Sequence, residues 1–252
     1  MSILFGEQKS PDLERFVEQN ALILLPVGQT EEHGPHLPIN TDALIAQRVA
    51  MAVGERMASE APTLVMDTVC YGYSSAALKN WPGTIVLQPE TVIDMLYDTC
   101  ISLVEMGFRR IAILSIHGNH VGIMRIVARK VADATDVYPV VVFPIALGMD
   151  RFLKAAKAGP EGTCHACELE TSLMLHLAPE LVDMASVKGP NPLRPASRFA
   201  KGIFWSTWGR EKSEHGYYGD PTVASAETGK VTFEAMVEET VAFLTEFCRE
   251  TS

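Results

Sequence analysis

Five side chains that can bind a divalent metal ion lie within twelve consecutive residues of this chain: Glu31, Glu32, His33, His36 and Asp42. Imidazole and carboxylate groups without thiolates suit zinc, manganese or iron. Carboxylates packed this closely repel one another unless a cation lies between them. We therefore predict a metal site here, in preference to a set of polar loop residues that only hydrogen-bond to one another.

The order of these residues selects particular ligands. Side chains along an extended loop alternate in direction, which places Glu31 and His33 on one side and Glu32 on the other. We therefore predict Glu31 and His33 as ligands. Asp42, at the predicted start of a helix, has two oxygens that could bridge two ions. Two ions about 3.5–4 Å apart can together activate a water molecule and polarise a carbonyl group.

A second histidine-rich loop, His117-Gly118-Asn119-His120, follows another apolar run. His117 would supply a further ligand from this loop. His36 and His120 are either additional ligands or partners that orient the ligands, because a ligating histidine commonly needs an orienting hydrogen bond.

The elements that must position these loops alternate between strand and helix. Apolar runs predict strands over Ala21 to Val27, Thr63 to Val69, Arg110 to Ile116 and Tyr138 to Phe143. Amphipathic patterns predict helices over Leu13 to Gln19, Asp42 to Met57, Thr91 to Met106, His120 to about Ala132, Glu168 to Leu177 and Thr232 to Arg249. This alternation indicates an α/β fold with a parallel sheet, in which ligands bind at the carboxyl ends of the strands. Both histidine-rich loops fall at such ends.

The composition limits the classes of partner. With 252 residues we predict one domain over residues 1–252, although the length would also allow two. The net charge of −10 argues against nucleic acids and anionic membranes as partners. No apolar run reaches the roughly 20 residues of a membrane span, and residues 1–18 lack a signal-peptide core. We therefore expect a cytoplasmic protein with a small-molecule substrate.

A further cluster of side chains that could do chemistry surrounds His165. This residue lies five positions before Glu170, so it is a candidate acid/base group near a carboxylate. The alternative is an exposed loop histidine beside a glutamate that the helix dipole favours. Cys164 and Cys167 have the C-x-x-C spacing of a redox pair or half of a zinc site, but the chain contains no second C-x-x-C to complete four zinc ligands. Residues Gly189 to Arg210 are predicted to form a long loop.

At these residues the sequence resembles the creatininase (creatinine amidohydrolase) family. The matching segments cover most of the chain and are Leu25 to Gly28, Glu31 to Pro38, Thr41-Asp42, Tyr71 to Tyr73, Pro82 to Thr84, the His117 loop, His165 with Glu170 to Ser172, and Gly219 to Thr222.

The resemblance implies a fold, a metal site and a chemistry. The expected fold is a three-layer α/β/α sandwich with a mainly parallel sheet. Two divalent ions, typically among Zn, Mn and Fe, are expected on Glu31, His33, Asp42 as the bridge, and His117, with His165 as the general acid/base. Family members hydrolyse amide bonds, often cyclic ones. They tend to be homo-oligomers, and hexamers are familiar.

The sequence departs from creatininase at two places. Creatininase has a ligating glutamate where this chain has Asn119, so the second ion needs another carboxylate, and Glu170 is our candidate. Without it, the second metal site would be weak. Creatininase also has a tryptophan near the position of Gly162 to Cys164, where it closes over the substrate. We therefore expect a substrate other than creatinine.

Together these observations predict a metal-dependent hydrolase that cleaves an amide C–N bond, in a small cyclic amide, with metal-activated water. Two alternatives stay open. The same water activation would serve a C–C or ester bond in a cyclic ketone or lactone, or a peptide bond. A metal-binding module without catalysis would instead have a closed coordination shell.

Overall fold

A parallel four-stranded sheet carries the two histidine-rich loops. A computed structural model describes residues 2–191 and 213–251, except for the side chains of residues 160 and 161. Within that part the strands are β1 (Leu22–Val27), β2 (Thr63–Val65), β3 (Arg110–Ser115) and β4 (Val140–Val142). Their order is β2-β1-β3-β4, and every pairing is parallel. The predicted loop over Gly189 to Arg210 lies outside the described residues from position 192 onward.

Helices cover both faces of this sheet. They are α1 (Ser10–Glu18), α2 (Thr41–Met57), α3 (Pro89–Met106), α4 (His120–Ala134), α5 (Pro144–Ala155), α6 (Glu168–Leu177) and α7 (Ala226–Glu250). Side chains of α2, α5, α6 and α7 pack with Leu22 and Leu24 of β1, whereas those of α1, α3 and α4 pack with Ile23 and Leu25. Because successive residues of a strand face opposite sides, this division makes three layers. The predicted α/β/α sandwich with a parallel sheet is confirmed.

The central strands agree best with the sequence prediction. Every residue of β1 and β3 is buried, which explains why neither has a polar face and why β1 and the interior of β3, Ile111 to Leu114, are apolar runs. The outer strands are shorter than predicted. In β4, Tyr138 is 69% exposed and Pro139 has no N–H to donate, so pairing begins only at Val140. In β2 regular pairing ends at Val65, and Val69 forms an isolated bridge.

One helix has the predicted bounds, several begin earlier than predicted, and one was not predicted. The bounds of α6 are those predicted, Glu168 to Leu177. Helix α7 begins at Ala226 and not at Thr232, because the Ser225 side chain accepts a hydrogen bond from the Thr228 N–H and caps a polar first turn. Helix α5 was not predicted. Pro144 stands at its start, a position at which proline favours a helix.

Gly28 allows the end of β1 to lie against the start of α2. A Cβ atom at Gly28 would overlap the Ala43 Cα and lie 2.7 Å from the Ala43 backbone nitrogen. We expect Gly28→Ala to lower the free energy of unfolding by roughly 3 kcal/mol, since the overlapped atoms are backbone and cannot move alone. The movement of the α2 backbone that relieves this overlap would also displace Asp42 and lower the metal content. Chemical denaturation and elemental analysis would measure both effects.

Gly122 in α4 provides the matched control, because nothing lies within 4 Å of the Cβ that Gly122→Ala would add. That exchange is expected to raise the stability by roughly 0.5–1 kcal/mol, as alanine is the better helix former. Equal stability of the Gly28→Ala protein and the wild type would contradict the close packing of β1 on α2.

Candidate metal centre

The two histidine-rich loops meet at the carboxyl ends of neighbouring strands. The first loop follows β1 and the second follows β3, and these strands are paired along their whole length. The first turn of α2 brings Asp42 to the same edge, and the first turn of α6 brings Glu170. The structure therefore places residues from four separate parts of the chain at one edge of the sheet.

All five predicted ligands come together in two groups that share Asp42. One group contains Glu31, Asp42 and His117, the other contains His33, Asp42 and Glu170, and the potential ligand atoms of each group lie within 4.8 Å of one another. His117 Nδ1 is 3.0 Å from Asp42 Oδ2, and His33 Nε2 is 3.3 Å from Asp42 Oδ1. The two oxygens of Asp42 thus face different groups, as a bridging carboxylate requires.

While His33 and His117 are neutral, several polar atoms in these groups are buried without a hydrogen-bond partner among the described residues. They are both carboxylate oxygens of Glu31, both of Asp42, and Nε2 of His33. None of these three residues is more than 1% exposed. Burial of a carboxylate is costly unless it is paired or coordinates a metal, and this nitrogen and oxygen donor set suits Zn, Mn or Fe. The residues present therefore fit divalent metal ions.

Backbone carbonyls fix the rings of the two candidate ligand histidines. His33 Nδ1 donates to the Glu31 carbonyl at 3.0 Å, and His117 Nε2 donates to the Tyr73 carbonyl at 3.1 Å. Because a carbonyl oxygen only accepts, the proton of each neutral ring is on the nitrogen that faces the backbone. The other nitrogen then directs its lone pair at the carboxylates, as a metal ligand must.

The charges in these groups favour the positive form of both histidines. Burial alone would lower their pKa values, but the facing carboxylates outweigh it. Asp42 and Glu170 raise the pKa of His33 to about 10, and Glu31 and Asp42 raise the pKa of His117 to about 9. Burial would raise the pKa of Asp42, but the two histidines lower it. The centre therefore attracts positive charge.

His165 lies beside this centre, next to Glu32. Its Nε2 donates to the Glu32 carbonyl at 2.7 Å, and its Nδ1 is 3.5 Å from Glu31 Oε1. Its ring centroid is 4.4 Å from that of His33. His165 is only 8% exposed, so the alternative of an exposed loop histidine is wrong. Glu31, His33 and His165 also form a third group of potential ligands, which places His165 within reach of a bound ion.

His36 and His120 belong to none of the potential ligand groups found among the described residues. His36 Nε2 forms a hydrogen bond with the Thr171 hydroxyl at 3.0 Å, and burial lowers its pKa to about 4. His120 Nε2 accepts a hydrogen bond from the Tyr73 N–H at 3.1 Å, and burial lowers its pKa to about 3. Both rings are therefore neutral and contact the supporting structure, which favours the orienting role over ligation.

Residues 216–219 support the centre, a role that the sequence did not indicate. The Tyr218 N–H donates to the His165 carbonyl at 2.9 Å. Gly216, with a φ of +81°, lies so close to Glu32 that a Cβ would overlap its carboxylate. The signals in the sequence are the glycine pair at 216 and 219, since Gly219 also has a positive φ, of +118°, and the family resemblance that begins at Gly219. Glycine adopts this conformation without strain.

The described structure supports neither of the two functions that the C-x-x-C spacing could suggest. The Cys167 thiol is fully buried and donates to the carbonyls of Gly162 and Cys164, each at 2.7 Å. Burial raises the pKa of Cys167 well above its usual value, which makes it a poor nucleophile. No group of potential metal ligands among the described residues includes a cysteine.

Comparison with known proteins agrees with this geometry. A sequence model of one family, described as creatinine amidohydrolase, matches residues 6–244. The chain belongs to the creatininase family. It is 31% identical to the mycofactocin precursor peptide peptidase of Mycobacterium tuberculosis, over 94% of this chain and 89% of that protein. It is 29% identical to the 3-dehydro-scyllo-inosose hydrolase of Thermotoga maritima, over 94% and 80%.

Solved creatininase structures have the same fold. The Mn form of creatininase superposes with a TM-score of 0.82 at 26% identity, over 98% of both chains. A mutant creatininase of Zn-Zn type gives 0.81 at 25% identity, again over 98% of both chains. At this identity the chain is a creatininase-family member and not creatininase itself, as predicted.

The chain is thus a metal-dependent amidohydrolase of the creatininase family, and the predicted enzyme class is confirmed. The alternative of a metal-binding module without catalysis is set aside, because the matched relatives are hydrolases. In residues 2–191 and 213–251, no helix has both the length and the apolar composition that crossing a membrane requires. The cytoplasmic location, the homo-oligomeric state and the single domain over residues 1–252 stay predictions.

Proposed function

We propose that the chain holds two divalent metal ions and hydrolyses an amide C–N bond. Glu31 and His117 would bind one ion, His33 and Glu170 the other, and Asp42 would bridge them. The observation that carries this proposal is the pair of ligand groups that share Asp42 and face its two different oxygens. Glu170 completes the second group, so Asn119 need not supply a ligand.

The chemistry of the ions and of the protein can be separated. When bound by these residues, divalent ions of Zn, Mn or Fe would supply Lewis-acid chemistry, which lowers the pKa of a water molecule and polarises a carbonyl group. His165 moves the protons. Its Nε2–H is held by the Glu32 carbonyl, so Nδ1, on the side of Glu31, is the atom that takes a proton from the water and returns it to the leaving nitrogen.

The neighbouring groups suit that role. Burial and His33 lower the pKa of His165, but Glu32, Glu31 and Glu170 outweigh them and raise it. The backbone of His165 is held as well, because its carbonyl accepts a hydrogen bond from the Tyr218 N–H. Should the centre hold a single ion, Glu170 would instead act as an acid/base group beside His165.

Three substrate classes are supported to different degrees. A small cyclic amide follows from the resemblance to creatininase. A peptide bond is favoured by one specific observation, the 31% identity with a peptidase that acts on the mycofactocin precursor peptide. A C–C or ester bond in a cyclic ketone or lactone is the third candidate, because one relative is a 3-dehydro-scyllo-inosose hydrolase.

A substrate panel tests the proposal. The purified, metal-loaded protein would be incubated with five- and six-membered cyclic amides, short peptides, cyclic ketones and lactones, and mass spectrometry would detect the addition of water. We expect turnover of an amide substrate, either cyclic or peptidic, that is lost in the His165→Asn variant. Turnover of only ketones or lactones would overturn the assignment of a C–N bond, although the metal centre itself would stand.

A further inference from the structure

The backbone of Tyr73 is held by two histidines from the loop between β3 and α4. The Tyr73 carbonyl accepts a hydrogen bond from His117 Nε2 at 3.1 Å, and the Tyr73 N–H donates to His120 Nε2 at 3.1 Å. These groups belong to the two peptide planes that flank the Tyr73 Cα. Together the two contacts therefore fix both backbone dihedrals of this residue.

The contact between His120 and this backbone is closely packed. The His120 ring is fully buried, and its centroid is 4.6 Å from that of His117, edge to face. A Cβ at Gly72 would overlap His120 Nε2 and lie 2.5 Å from its Cε1, so only glycine lets the ring approach the Tyr73 N–H. The His120 N–H also donates to the His117 carbonyl at 3.1 Å, which joins the two histidines in one turn.

This arrangement separates the tasks of the two histidines. Because His120 Nε2 accepts from the Tyr73 N–H, it has no lone pair left for a metal ion. His117 donates from Nε2 to the Tyr73 carbonyl, so its Nδ1 lone pair faces Asp42 Oδ2 at 3.0 Å and Glu31 Oε1 at 3.4 Å. The direction of that lone pair therefore depends on where the Tyr73 carbonyl points.

We propose that His120 is a positioning residue for the metal ligand His117, and that it acts by holding the backbone of Tyr73. This inference rests on the proposed function in one respect, namely that His117 binds a metal ion with Glu31 and Asp42. His33, in the other group, is oriented by the Glu31 carbonyl and not by Tyr73. Loss of His120 should therefore weaken the binding of one ion much more than that of the other.

Metal affinity in two variants of His120 tests this role. His120→Phe keeps a buried ring but removes the acceptor, whereas His120→Gln offers an amide oxygen near the place of Nε2. Competition with a chromophoric chelator would measure both zinc affinities. We expect the Phe variant to bind one ion about 10–100-fold more weakly, as is usual when an orienting partner is lost, and the Gln variant to recover most of that affinity.

A substitution at Gly72 tests the same contact while keeping His120 itself. Gly72→Ala would push the ring away from the Tyr73 N–H and should weaken the same ion, while Gly122→Ala serves as the control without a steric clash. Circular dichroism and thermal unfolding of the metal-free proteins would show that each variant is folded. Should His120→Phe not fold, Gly72→Ala alone decides the question.

Three results would overturn the positioning role: wild-type affinity for both ions in the Phe and Gly72→Ala proteins, equal weakening of both ions, or a Gln variant as weak as the Phe variant. A wild type with fewer than two ions would instead overturn the proposed two-metal centre. In that case, an unchanged affinity of the His120→Phe protein for the remaining ion would reject the positioning role of His120 as well. A 10–100-fold weaker affinity for that ion would support the positioning role.

Discussion

The Asp42→Ala variant is expected to lose hydrolysis and to hold about one metal ion per chain or fewer. Asp42 is the only residue shared by the two described ligand groups, and its oxygens lie 3.0 Å from His117 Nδ1 and 3.3 Å from His33 Nε2. Metal ions supply several kcal/mol of transition-state stabilisation. Each 1.36 kcal/mol corresponds to a factor of ten in rate, so we expect kcat/KM to fall roughly 1000-fold when the ions are lost.

The same substitution at an exposed acid separates this effect from a general loss of charge. Asp150 lies on the surface of α5, so Asp150→Ala should keep wild-type activity and metal content. Asp42→Asn keeps the size of the side chain but not its charge, and it should behave like Asp42→Ala. Elemental analysis and steady-state kinetics on the same preparations would measure both quantities. Full activity of Asp42→Ala, or two retained ions, would contradict the bridging role.

Metal binding should also matter for the fold, because the centre concentrates buried acids. Glu31 and Asp42 are each 1% exposed, and Glu170 is 9% exposed. In the metal-free protein the positive charge on His33 and His117 compensates them. An ion that binds only the folded state adds stability in proportion to the logarithm of its concentration over its dissociation constant. The residues that give the site its chemistry are thus also those whose burial is most costly without a cation.

The layers of the fold and the edge that carries the site were predictable from residue types. Strands β1 and β3 are central and buried on both faces, so their apolar runs stand out from the flanking polar residues. Both histidine-rich loops begin where such a run ends, and parallel strands bring those ends together. Glu170 was predicted for a different reason: the resemblance to creatininase leaves one ion short of a carboxylate at Asn119, and Glu170 lies in the first turn of the helix predicted from Glu168.

The supporting contacts were not predictable in the same way. Tyr73 orients His117 through its carbonyl, Glu32 holds His165 through its carbonyl, and Tyr218 contacts His165 through its N–H. Every residue except proline carries both groups, so residue type contains no information about such contacts. They depend on how loops that are distant in the sequence pass one another, which only the packed structure defines.

The second large effect is expected at Glu170. Glu170→Ala should reduce the metal content from about two ions per chain to about one, because the group of His33 and Asp42 loses its third ligand. Glu170 Oε2 also accepts a hydrogen bond from the Ala166 N–H, next to His165, at 2.5 Å. Glu170→Gln keeps an oxygen for that bond but removes the negative charge, so it tests metal binding with the loop around His165 held in place.

The exposed Glu180, shortly after the same helix, supplies the matched control Glu180→Ala, which should retain both ions and full activity. For Glu170→Gln we expect the loss of one ion and a fall in kcat of roughly two to three orders of magnitude. Elemental analysis by mass spectrometry and kinetics would measure them. About one ion in both wild type and variant would indicate a mononuclear centre with Glu170 as an acid/base group.

A double substitution distinguishes a missing ligand from a distorted loop. The resemblance to creatininase implies a ligating glutamate at the position of Asn119, so Asn119→Glu in the Glu170→Gln background should restore the second ion if only the carboxylate is lacking. Recovery of about two ions per chain, with part of the activity, would show that a carboxylate at position 119 can replace the one at position 170 as a ligand. Two ions already present in Glu170→Gln alone would remove Glu170 from the ligand set.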